Sequence, residues 1–136
     1  MKIKRFVLDT NTLISAALLP GSANNEALKK AYKIGIVVAS AATFAEVQEV
    51  ISRKKFDKYL TEERKIQFIQ KLEQDIQLCE VGISISACRD AKDNKFLELA
   101  IEADAACIIT GDKDLLTLHP FQNIPILSAS DFLKSF

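Results

Sequence analysis

The chain has 136 residues, 49% of them hydrophobic, which is enough for one sizeable core and too few for two comfortable ones. Its 18 Lys plus Arg balance 18 Asp plus Glu, so the formal net charge is zero, and any nucleic-acid partner has to be met by local patches. The three cysteines, Cys79, Cys88 and Cys107, form no CxxC pair and cannot all pair within one chain, which fits reduced core thiols in a cytosolic protein.

The opening "MKIKRFVLDT" is basic like a signal peptide, but Asp9 interrupts its apolar stretch after three residues. No later stretch is long enough to span a bilayer, so the expected location is cytoplasmic, without membrane contact. The apolar run before Asp9 reads as a first strand, and "IVVAS" and "CIITGD" repeat its format further along. Runs of β-branched residues without alternation suit strands buried on both faces, as in a parallel sheet. Between the first two runs, "SANNEALKKAYKIG" predicts a helix with Ser22 as N-cap and Gly35 as its stop. Next, "SAATFAEVQEVISRKK" predicts a helix capped by Ser40. In "TEERKIQFIQKLEQDIQLC", Ile66, Ile69, Leu72, Ile76 and Cys79 recur at helical spacing, which predicts an amphipathic helix reaching Cys79. With no strand intervening, the stretch from about Lys54 to Cys79 reads as a helical hairpin added to the sheet. "DNKFLELAIEA" predicts another helix, "IPIL" a last short strand and "SASDFLKSF" a terminal helix capped by Ser128. Strands alternating with helices imply right-handed βαβ units and a three-layer α/β domain over residues 1–136.

The acids carry the chemistry. Asp9 and Asp112 each follow a strand, where a turn or capping aspartate is the simplest reading of either alone. Glu46 borders the apolar stripe of Phe44, Val47, Val50 and Ile51, whereas Glu49 is placed to be solvated. Asp93 begins the face continued by Leu97 and Ala100, and the ordinary capping role falls to Asp90. In a parallel sheet, strand ends and the first turns of the following helices open on one edge, where ligands bind. Asp9, Glu46, Asp93 and Asp112 all belong at that edge. Carboxylates packed together repel, and a divalent cation resolves the repulsion. Oxygen-only ligands favour a hard ion, Mg²⁺ with Mn²⁺ as substitute, and such a site suits phosphoryl chemistry. Thr10, Asn11, Thr110 and Asp114 are placed to support these acids, although Thr10 is equally a candidate helix N-cap and Asn11 a candidate turn residue. His119, before Pro120, has no assigned role. Among the cations Lys29, Lys30, Arg53, Lys54, Lys55 and Lys113, most read as solvated surface, and Lys113 alone is retained for substrate binding.

The segments "VLDTNTLISAAL", "SAATFAEVQEVISRKKF", "CRDAKDNKFLELAIEADAACIITGDKDLL" and "IPILSASDFL" resemble, in order, the successive motifs of PIN-domain proteins, more narrowly the PIN-domain toxins of bacterial toxin–antitoxin systems. The resemblance implies a compact α/β/α fold and Mg²⁺- or Mn²⁺-dependent cleavage of single-stranded RNA, leaving a 5′-phosphate and a 3′-hydroxyl. It places the family's four acids on Asp9, Glu46, Asp93 and Asp112, and a further acid on Asp114. It also implies a cognate antitoxin protein and a homodimer; an exposed part of the Ile66 to Cys79 helix is one candidate contact, with ordinary core packing the preferred reading of that helix. A haloacid-dehalogenase-type phosphatase is the nearest enzyme alternative, but Asn11 stands where that chemistry needs a second aspartate. A receiver domain lacks its adjacent acid pair in "FVLDTN", and a non-catalytic metal- or RNA-binding module is the remaining alternative.

Overall fold

The structure is a computed structural model, and it describes residues 2–136. Five strands, β1 (Arg5–Leu8), β2 (Ile36–Ala39), β3 (Gln77–Leu78), β4 (Cys107–Ile109) and β5 (Ile126–Leu127), form one sheet in the order β3-β2-β1-β4-β5. Every pairing is parallel. The helices are α1 (Thr10–Leu18), α2 (Ala23–Ile34), α3 (Ala41–Ile51), α4 (Glu62–Asp75), α5 (Asn94–Glu102), α6 (Lys113–Leu116) and α7 (Ala129–Ser135). Ser22, Ser40 and Ser128 cap α2, α3 and α7 as expected, each accepting from a backbone N–H of the first turn.

Side chains alternate across a strand, so each buried strand feeds two cores. Phe6, Leu8, Val37, Cys107 and Ile109 point to one face, where Leu13, Ile14, Ala27, Ala31, Val47, Ile51, Leu72 and Phe132 cover them. Val7, Val38, Ile108 and Ile126 point to the other, under Phe96, Leu97, Leu99, Ala100 and Leu115. The result is the three-layer α/β/α arrangement expected of doubly buried strands. Burying each such Phe, Leu or Ile contributes roughly 1.5–3 kcal/mol, and Phe6, Leu97, Ile108, Ile109 and Phe132 are fully enclosed.

Two local expectations change. The amphipathic helix ends at Asp75, and the chain then pairs Gln77 and Leu78 with Val38 and Ala39 as an edge strand. The helical segment before it is α4 preceded by a single 3-10 turn at Lys54–Phe56. Of the cysteines, only Cys107 is buried, while Cys79 and Cys88 are half-buried and all three are free thiols. Among the described residues, no helix is long and apolar enough to cross a membrane.

Entry to β2 depends on Gly35. A Cβ there would lie 2.3 Å from the Lys4 carbonyl oxygen and 2.8 Å from the Phe6 ring. Its backbone is extended, so lack of space and not conformation excludes a side chain. Gly35→Ala is expected to cost about 1–3 kcal/mol in denaturant unfolding by forcing β1 and β2 apart. Gly82→Ala, with only the Glu102 carboxylate at 4.0 Å, is expected to stay within about 0.5 kcal/mol of the parent.

Candidate active site

The parallel strands all end on the same edge, and the order reverses direction between β1 and β4. That junction is the switch point at which open α/β sheets form a crevice. Asp9, the residue after β1, caps α1: its Oδ1 accepts from the Thr12 N–H at 2.9 Å and its Oδ2 from the Thr110 hydroxyl. Thr10 therefore lies in the first turn of α1 and is not the cap. Asp9 is only 5% exposed. Burial pushes its pKa up, opposed by the hydrogen bonds from Thr110 and Thr12, and the Asp112 charge adds to the rise. The Thr110 oxygen in turn accepts from the Asp112 N–H at 2.9 Å, so one hydroxyl ties the ends of β1 and β4 together. Asp112 caps α6 by accepting from the Asp114 N–H at 2.8 Å. Capping and a shared site thus coexist in the same two aspartates.

The segment before α5 separates Asp90 from Asp93. Asp90 caps the 3-10 turn Ala91–Asp93, accepting from the Lys92 N–H at 3.0 Å. Asp93 stands at the N-cap position of α5 yet makes no capping hydrogen bond, and its Oδ2 is buried without a partner. Asp93, Asp112 and Asp114 each bring one oxygen within 4.8 Å of the others. Burial, then a hydrogen bond shared with Asp112 and the charges of Asp112, Asp90 and Asp9, push Asp93 up to about 7. Burial and the neighbouring charges thus favour the protonated form of Asp93. This donor set fits a hard divalent cation: all oxygens, one of them buried and unspent. The nearby Cys88 thiol does not compete, because burial and the surrounding carboxylates push it up to about 11 and keep it protonated.

Glu46 does not join that trio. From α3 its Oε1 accepts from the Thr10 hydroxyl, and its Oε2 pairs with Lys95 Nζ at 2.6 Å. Lys95 is the residue that the sequence reading missed, since a helix lysine ordinarily reads as solvated surface. Its one signal is its position two residues after Asp93, in the first turn of α5. Asn11 is exposed and borders a 260 Å³ pocket together with Asp9, Ser15, Asn24 and Asp112. Lys113 is exposed directly after Asp112. Of the other candidate cations, Lys29 lies by Glu26, Lys30 donates to the Leu133 carbonyl, and Arg53 pairs with Glu49 within reach of the Glu46 charge.

The raised acids set a pH dependence. Asp93 binds its proton more tightly folded than unfolded, so without a cation the native state holds the extra proton between the ordinary carboxylate value of 3.8 and about 7. Stability from this group is full below that window and falls as pH rises through it. Melting curves from pH 4 to 8 without divalent ions are expected to show this decline, and Asp93→Asn to flatten it.

Residues 5–114 match the PIN domain family. An uncharacterized protein of Methanocaldococcus jannaschii is 35% identical over 121 residues, spanning 87% of this chain and 77% of that protein. Among solved structures, PAE2754 from Pyrobaculum aerophilum aligns with a TM-score of 0.64 at 12% identity, over 96% of this chain and 88% of the other. VapBC2 from Rickettsia felis, bound to a promoter DNA fragment, aligns with a TM-score of 0.62 at 14% identity over 90% and 96%. VapC20 of Mycobacterium tuberculosis, a toxin that cleaves the sarcin–ricin loop, aligns with a TM-score of 0.54 at 12% identity over 88% and 98%. At these identities the structural likenesses show a shared fold, while the family match and the archaeal relative show descent. This chain belongs to the PIN domain family.

Proposed function

We propose that this protein is a divalent-cation-dependent endoribonuclease acting on single-stranded RNA, and that it serves as the toxin of a toxin–antitoxin pair. The observation that carries the proposal is the convergence of Asp93, Asp112 and Asp114 at the switch point, with a buried, unpartnered oxygen on Asp93. Those three residues would hold the cation, with Asp9 beside them, and Mg²⁺ or Mn²⁺ matches the donors. When bound, such an ion supplies the positive charge that makes water acidic and offsets charge developing on a phosphate.

The chain's own groups do the positioning. Thr110 fixes Asp9 and the backbone of Asp112 in one network, so the strand-end carboxylates keep their orientation. Asp93, whose burial and acidic neighbours favour its protonated form, would give up that proton to a bound cation and add its charge to the ligand set. Lys113, exposed beside the acids, offers a charge to the RNA backbone. The reaction is in-line hydrolysis: a water oxygen bonds to phosphorus, the bond from phosphorus to the 3′ oxygen breaks, and that oxygen takes up a proton.

Support for RNA as substrate comes from the sarcin–ricin-loop-cleaving toxin that shares the fold. Support for a protein partner comes from the two-component VapBC2 assembly. A location in the cytoplasm accords with both.

Incubation of mixed-sequence single-stranded RNA with purified protein tests the reading. Cleavage is expected with Mg²⁺ or Mn²⁺ and is expected to cease with chelator. Asp112→Asn should lower it by about a hundredfold or more, and Thr110→Val by about 10–100-fold. Cleavage that persists in chelator, or at full rate in Asp112→Asn, would refute it.

A further inference from the structure

The fold treats the two sides of the acidic constellation differently. Among the described residues, Asp9, Asp93, Asp112 and Asp114 have no lysine or arginine paired to them, whereas Glu46 is ion-paired to Lys95. We infer that Lys95 is a positioning residue that stands in for a second metal ion: its ammonium holds Glu46 and limits the centre to a single divalent cation. This inference rests on the cation-dependent reading above and specifies how many ions that site accepts.

The ammonium is anchored like a bound cation. It lies 2.6 Å from Glu46 Oε2 and donates to the Lys92 carbonyl oxygen at 2.6 Å. Lys92 sits in the 3-10 turn that ends at Asp93, so the same turn places the ammonium and the unpartnered carboxylate. The Lys95 side chain is 20% exposed and that of Glu46 is 28% exposed. The Phe96 ring centroid lies 5.4 Å from Lys95 Nζ and gives the cation an aromatic neighbour. With Thr10 donating to its other oxygen, Glu46 has both oxygens engaged.

A divalent ion seeking Glu46 would have to expel the ammonium from a partly buried pair and leave that charge uncompensated, the unfavourable case for an ion pair. The charge of the ammonium, held on Glu46 Oε2, is what sets the count. On the other side, Asp93, Asp112 and Asp114 bring one oxygen each within 4.8 Å of the others and, among the described residues, have no lysine or arginine paired to them.

Titration with Mn²⁺ alone, followed by calorimetry and by electron paramagnetic resonance of the free ion, tests the inference without any RNA. The full-length wild type is expected to bind one Mn²⁺ per chain. Lys95→Met keeps the stem length and packing against Phe96, and it is expected to bind two. Lys95→Gln is the second variant should the first fail to fold, as judged by its melting curve. Lys95→Met combined with Glu46→Gln should return the count to one, because the added site depends on that carboxylate. Two ions in the wild type, or one in both Lys95 variants, would overturn the inference while leaving cation-dependent cleavage standing. No Mn²⁺ bound by the wild type at all would overturn both.

Discussion

The parallel pairing of β1 with β4 is the constraint on which the rest of the molecule depends. Phe6, Val7 and Leu8 register against Cys107, Ile108 and Ile109, and the Asp9 N–H extends the ladder by donating to the Ile109 carbonyl at 3.2 Å. All six strand side chains are buried, so a slip of one residue would move every one of them to the opposite core. Because β2 and β3 lie on one side of this pair and β5 on the other, the crevice opens where the two strands end. Asp9 and Asp112 are brought to it by backbone pairing, and the Thr110 hydroxyl locks the two ends together.

Once the strands are fixed, electrostatics decides what each acid does. Asp9 relieves its burial through hydrogen bonds from Thr110 and Thr12, and Glu46 through Thr10 and Lys95. Asp93 has no cation and no backbone N–H to relieve it, so burial and its contact with Asp112 favour its protonated form, and its Oδ2 has no partner. An unmet buried acceptor costs roughly 1–3 kcal/mol, and here it sits beside two further carboxylates and not in a hydrophobic wall. Such a defect is retained where function uses it.

Much of this was legible in the sequence, for reasons that differ by residue. The caps at Ser22, Ser40 and Ser128 were readable because capping is local chemistry, settled within three residues of the cap. The distinction between Asp90 as cap and Asp93 as something else followed from the apolar stripe that begins at Asp93, and the hydrogen bonds agree. Strand β3 was not legible. Gln77 and Leu78 are both exposed, and only their pairing with Val38 and Ala39 makes them a strand. The role of Lys95 was hidden for a related reason: its partner lies on another helix, and the proximity of α3 to α5 is a tertiary fact. The sequence likewise placed Glu46 at the margin of an apolar face but not which cation it would meet there.

The central claim is that a divalent cation would bind among Asp93, Asp112 and Asp114 in place of a proton on Asp93. Calorimetric titration of the wild type with Mg²⁺ or Mn²⁺ near pH 6, repeated in buffers of different ionisation enthalpy, counts the protons released on binding. The account predicts release approaching one proton per chain, absent in Asp93→Asn. Tight binding with no proton release, or equal release from wild type and Asp93→Asn, would contradict it.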